Sequence, residues 1–261
     1  MSKKNKKRNK KKNNSGRILS NIILTVAIII FTVSVIKLVT LLVPYYKGGK
    51  DYDNVKEIAI EIDNDEFTEG DTNKFTVDFK SLKEINKDTI GWIRFDEPSI
   101  ISYPVVKSHD NEEYLTKTFS DNDNKLGSIF MDMNNKSDFS DKNTIIYGHN
   151  MRVGNQMFSQ IRKYGDNEFR DKYPYFYIYT PDNAEHKYRV FAAGVVREDA
   201  DNYKTVFDSD KEFEDYLKLC RSLNYDKNVE LDKDSKIITL STCTCVNDYE
   251  RFIVQGVLEE D

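Results

Sequence analysis

Cysteine is scarce in this chain, with three residues in 261. That is too few for a disulfide scaffold, and an odd count leaves at least one thiol outside any bridge. Stability therefore has to come from packing. Histidine is equally scarce, at three, so imidazole chemistry has few candidates. No acidic residue precedes Asp51, whereas the first 17 residues hold nine Lys or Arg: Lys3, Lys4, Lys6, Lys7, Arg8, Lys10, Lys11, Lys12 and Arg17. There is no internal repeat, and the only low-complexity stretch is this Lys/Asn-rich start.

An uncharged run from Ile18 to Ile36 follows, continuing past a lone Lys37 to Val43. It is long enough to cross the hydrocarbon core as one helix. No small-x-small cleavage site follows; Pro44, Tyr45 and Tyr46 come next, and aromatics suit a membrane interface. Residues 1–17 are therefore expected to be a basic cytoplasmic tail. Residues 18–43 are expected to be an uncleaved signal anchor at the cell membrane, with residues 44–261 outside. Without the nine basic residues, 30 Lys and Arg face 44 Asp and Glu, a net of −14 for residues 18–261. A domain so acidic excludes nucleic acid as its partner.

Residues 44–89 are expected to be a helical extension. Val55, Ile58, Ala59 and Ile62 recur at helical spacing within residues 51–67, as do Phe79, Leu82 and Ile85, with the polar turn EGDTNKF between them. From residue 90 the pattern becomes β-rich. Strands are expected at 91–95, 101–107, 127–132, 143–148, 175–180, 187–197, 236–242 and 251–258. Eight strands suffice for a closed barrel filled by side chains. The fold is thus expected to be mainly β with added helices. One further helix is read at 157–164, and a longer one at 209–223 carries Phe213, Tyr216, Leu217 and Cys220 on one stripe. On that stripe Cys220 reads as a buried, inert thiol.

The other two cysteines stand two apart in ITLSTCTCV, after an apolar strand. A cysteine nucleophile needs a cation or imidazole that favours the thiolate, and donors for a developing oxyanion. His109 lies in a polar loop and His186 in a hairpin. His149 ends an apolar strand in TIIYGHNM, and Arg251 begins the strand after Cys243. Three strand ends thus offer a thiol, an imidazole and a guanidinium.

These residues resemble the sortase family. TLSTC at 239–243 is similar to the signature TLxTC, YGHNM at 147–151 to the histidine segment, and Arg251 stands eight residues after the cysteine, where the family has its arginine. The two leading helices, GSIFMDMNN, NTIIYGHNM and the helix before the cysteine strand resemble class B in particular. The resemblance implies an eight-stranded sortase barrel over residues 90–261 and cysteine transpeptidation at the cell wall of a Gram-positive bacterium, without metal or cofactor. Cys243 would cleave a sorting-signal peptide of a secreted protein after Thr, through a thioester that passes to a peptidoglycan precursor amine. His149 would act as acid and base, and Arg251 would stabilise the oxyanion or position the substrate, together with the Thr244 N–H. Tyr203 matches the loop that grips the sorting peptide, Ser241 shares the face of Cys243 if the strand is regular, and Asn134 would line the groove.

Cys245 departs from the signature. If the strand ends near Cys243, the second thiol falls out of line; a reducible C-x-C disulfide is the other reading. Two alternatives stay open: an anchored C-x-C thiol oxidoreductase, and an inactive sortase-like peptide-binding domain. The order His149, Cys243, Arg251 disfavours a papain-like peptidase, in which cysteine comes first.

Overall fold

The computed structural model describes residues 14–62, 75–151 and 153–259. Most of the basic start and, Phe75 excepted, the EGDTNKF turn lie outside the described residues. The chain forms two units, Met1–Pro44 and Tyr45–Asp261. In the first, helix α1 (Asn14–Ala59) presents every side chain from residue 16 to 43 to its surroundings. The hydroxyls of Thr25, Thr32 and Ser34 turn back onto the carbonyls of Asn21, Ile28 and Ile30, at 2.8 to 2.9 Å, and so meet their needs within the helix.

The same helix continues through Pro44 into the second unit, where Tyr52, Val55 and Ala59 are buried. The expected helix over 51–67 therefore ends earlier, at Ala59. Ile58 stands about 100° around the helix from Ala59 and is half exposed, off the buried stripe. β-Branched residues then favour extended chain: β1 (Ile60–Ile62) pairs antiparallel with β2 (Phe75–Val77). Helix α2 (Phe79–Ile85) is capped by Asp78, whose carboxylate accepts from the N–H groups of Lys80 and Ser81 at 3.0 Å. It buries Phe79 and Leu82 and leaves Ile85 at the surface.

The strands β3 (Thr89–Phe95), β4 (Ser102–Val106), β5 (Ile129–Met131) and β6 (Asn143–Tyr147) come next, followed by the short helix α3 (Asn167–Lys172). Then come β7 (Tyr175–Tyr179), β8 (Glu185–Arg197), α4 (Asp210–Cys220), β9 (Asn224–Tyr225), β10 (Ile237–Cys243) and β11 (Glu250–Leu258). The order β11-β10-β6-β5-β4-β3-β7-β8 closes through a β8–β11 pairing into the expected eight-stranded barrel, and β9 adds two residues beside β8. Two pairings are parallel, β4 with β5 and β6 with β10. The segment expected as a helix over 157–164 is a 3-10 helix, Ser159–Gly165; it begins after Met157, whose positive φ of 53° is outside the helical region.

Alternation along β10 sorts its side chains into two layers. Ile238 and Leu240 join the barrel interior with Trp92, Phe176 and Val254, while Ile237 faces outward into a second cluster under α4. That cluster holds Phe213, Tyr216, Leu217 and Cys220, the stripe expected from the sequence. By the same period, Thr239, Ser241 and Cys243 face outward with Ile237, which sets the thiol outside the barrel interior.

Leu82→Ala is expected to lower stability by about 2–5 kcal/mol, read as a fall in thermal midpoint, while Ile85→Ala changes it by about 0.5 kcal/mol or less. Equal effects would contradict the docking of α2 through its Leu82 face.

Candidate active site

Strand register assembles the site. In the β10–β11 ladder Cys243 is paired with Arg251, and in the parallel β6–β10 ladder Tyr147 is level with Ser241. The Gly148 N–H donates to Ser241 O at 3.1 Å, carrying the ladder one residue beyond β6. Continuing the same register sets residue 149 level with Cys243. Gly148 is needed there, since a Cβ would lie 2.5 Å from Ile129 Cδ1 and 2.7 Å from a Phe158 ring carbon. The Asn150 side-chain amide then donates to Cys243 O at 2.8 Å and ties the turn after the histidine to the end of the cysteine strand.

His149, Cys243 and Arg251 line one cavity of about 210 Å³, together with Asn111, Leu115, Phe130, Tyr147 and Ser241. His149 Nε2 donates to Leu115 O at 2.7 Å, since a carbonyl only accepts. The Arg251 guanidinium donates to Asp248 O (2.7 Å) and Glu250 O (3.1 Å), and its Nη2 meets Glu198 Oε2 at 2.6 Å. Burial pushes the Cys243 thiol above its ordinary pKa, while the Arg251 charge pulls it down. Burial is the larger of the two influences, and the guanidinium is the group that favours the thiolate. His109 and His186 do not line this cavity; His186 Nε2 lies 3.2 Å from Thr180 Oγ1.

Ser241 lines the cavity and its Oγ shares a 2.7 Å hydrogen bond with the Tyr203 hydroxyl, whose ring stacks on Tyr147 at 6.3 Å. Burial raises the Tyr203 pKa to about 12. Asn134, expected in the groove, is exposed and absent from the cavity lining; its amide donates to Asp132 Oδ1 at 3.0 Å. Asn111 takes that place, its amide donating to Asp132 Oδ2, which also accepts from the Tyr147 hydroxyl. The Thr244 N–H, expected to face a substrate oxygen, instead donates to Glu250 O at 3.4 Å, because the chain folds back to start β11. Nothing local to Asn111, Leu115 or Glu198 marks them in the sequence, since each enters through a long-range contact; Tyr147 lies within the YGHNM segment.

Strand β10 ends at Cys243, and Cys245 takes a positive φ of 61°. Its thiol is exposed, 3.8 Å from Asn150 O, and is absent from the cavity lining. Among the described residues no group of three or more His, Cys, Asp or Glu side chains is arranged to hold a metal. A larger cavity, about 850 Å³, lies between Arg189, Arg221, Tyr225, residues 227–232 and 234–236, and residues 257–259, with neither thiol nor imidazole in its wall.

Residues 96–259 match the family described as the Sortase domain. The chain is 38% identical over 184 residues to Sortase B of Listeria monocytogenes, covering 69% of this chain and 74% of that one. It is 37% identical over 171 residues to Sortase B of Staphylococcus aureus, covering 63% and 67%. The crystal structure of sortase B from Bacillus anthracis superposes with a TM-score of 0.71 at 29% identity, over 84% of this chain and all of the other.

Alkylation of Cys243 in a Cys245→Ser background is expected to accelerate with pH up to and beyond the ordinary thiol range, following the thiolate. Arg251→Ala moves the midpoint higher still, because the cation that favours thiolate is gone. An unmoved midpoint in that variant would refute the electrostatic coupling.

Proposed function

The chain belongs to the sortase family, among its class B members, and from that premise we propose that it is a membrane-anchored transpeptidase that joins secreted proteins to a cell-wall precursor. The observation that carries the reading is the row formed by Cys243 and Arg251 on paired strands with His149 one strand away.

Sortases are cysteine transpeptidases acting on sorting signals, and the chemistry of this cavity follows. The Cys243 thiol passes its proton to His149 and attacks the carbonyl after the Thr of the signal. The negative charge that develops on the carbonyl oxygen is met by Arg251, which keeps N–H donors beyond those used on Asp248, Glu250 and Glu198. Glu198, by bonding Nη2, keeps the guanidinium beside the strand pair. His149 delivers the proton to the leaving amine, the C–N bond breaks, and a thioester to Cys243 remains. A precursor amine then gives its proton to His149 and attacks the thioester; an amide forms and the thiol returns. The Thr244 N–H, 3.4 Å from Glu250 O, is held only by a long contact and is the second donor for the oxyanion. The hydrogen-bonded pair of Ser241 and Tyr203 forms a polar rim for the peptide beside the nucleophile.

Anchoring rests on residues 18–43, whose apolar side chains cover one continuous helix. The hydroxyls of Thr25, Thr32, Ser34 and Thr40 are bonded within the helix, as hydrocarbon demands. The nine basic residues before it favour a cytoplasmic start and an external catalytic domain. The position of Cys245, outside the cavity on a left-handed residue, withdraws support from C-x-C redox chemistry.

The test incubates the full chain in detergent with NPxTN-like and LPxTG-like peptides and an amine acceptor. His149→Ala is expected to lose about 10²–10⁴ in rate, Arg251→Ala about 10²–10³, and Cys243→Ala all activity, while Cys245→Ala keeps most of it. Product masses distinguish transfer from hydrolysis. Equal loss in both cysteine variants would move the chemistry to the C-x-C pair.

A further inference from the structure

We propose that Tyr52, on the part of α1 that follows the apolar run, is a positioning residue for His149: it holds the loop whose carbonyl fixes the imidazole. The proposal rests on the sortase reading above for the role of His149. Its own basis is a chain of contacts that starts far from the cavity.

Tyr52 is 2% exposed. Its hydroxyl donates to Gly127 O at 2.7 Å, accepts from the Phe119 N–H at 3.2 Å and lies 3.1 Å from Ser128 Oγ. Burial raises its pKa far above that of an ordinary phenol, so the hydroxyl remains a donor throughout the working range. These contacts join residues 67 to 76 positions apart, and the one carbonyl that accepts, Gly127 O, belongs to the backbone beside the histidine. Gly127 has φ +59°, and a Cβ there would lie 2.7 Å from Tyr114 O, 2.8 Å from Leu115 O and 2.9 Å from His149 Cδ2. Its bare backbone is thus wedged between the Leu115 carbonyl and the imidazole. The adjoining Ser128 N–H donates to Tyr114 O at 2.9 Å, and Ser128 Oγ donates to Lys117 O at 2.8 Å, which closes the loop on itself.

The consequence is a defined tautomer. Because Leu115 O can only accept, Nε2 of His149 carries a hydrogen in both the neutral and the cationic ring, and Nδ1 is the nitrogen that gains and loses a proton. Without the Tyr52 hydroxyl, Gly127 O and the Phe119 N–H lose a buried partner together. The loop relaxes, the Leu115 carbonyl drifts, and the ring is free to exchange tautomers. Helix α1 would then serve the reaction as well as the anchoring.

The experiment uses the full chain in detergent micelles with ¹⁵N-labelled histidine; His109 and His186 serve as internal references. Wild-type His149, when neutral, is expected to show the pattern of the Nε2–H tautomer, and Tyr52→Phe a mixture of both. At saturating peptide Tyr52→Phe is expected to lower kcat about tenfold or more with KM little changed, as displacement of a reacting group does. Gly127→Ala, which pushes on the same ring, should give the same pair of changes. A wild-type Nδ1–H tautomer overturns the proposal, whether or not the variants fold. So does a Tyr52→Phe protein that only loses thermal stability while keeping tautomer and kcat. The imidazole spectrum needs no peptide, so it decides the matter even if the transpeptidase reading fails.

Discussion

The structure depends above all on the register of three neighbouring strands, β6, β10 and β11. Pairing Ser241 with Tyr147 and Cys243 with Arg251 brings together groups from positions 149, 243 and 251. In a pleated sheet a slip of one residue turns every side chain to the opposite face. The thiol would then enter the barrel interior beside Leu240, away from the imidazole. Closure of the barrel through β8 and β11 fixes that register, because no edge is left along which β11 could slide.

Within this frame the electrostatics are finely opposed. Burial at the end of β10 disfavours the Cys243 thiolate, and Arg251 restores part of what burial removes. The guanidinium is itself held by Glu198 and by two carbonyls of its own turn. A lone surface arginine would lose much of its pull to solvent; this one is kept against the strand pair, beside Cys243.

The elements ahead of the barrel belong to the same construction. Asn86, at the end of α2, donates to the Tyr114 hydroxyl and to Phe119 O, and Tyr114 in turn donates to Asp88. With Tyr52 on α1, these contacts grip both sides of the loop that carries Leu115. The extension, legible in sequence only as two amphipathic helices, is thus packed on the loop beside the histidine.

What depends on near neighbours is legible along the chain. The eight strands of the barrel are legible as short β-rich runs between turn residues, the α4 stripe as helical spacing, and Cys243, His149 and Arg251 as candidates by residue type at strand ends and by the TLSTC and YGHNM segments. Long-range packing set the rest: the helix entering the domain ends at Ala59, Asn111 and not Asn134 lines the cavity, the Thr244 N–H lies 3.4 Å from Glu250 O, and Cys245 leaves the line of the strand. It also decided that Leu115 O is the histidine's partner. Each of these rests on backbone groups or on contacts across tens of residues, where local pattern carries no signal and the balance of packing over the closed barrel sets the outcome.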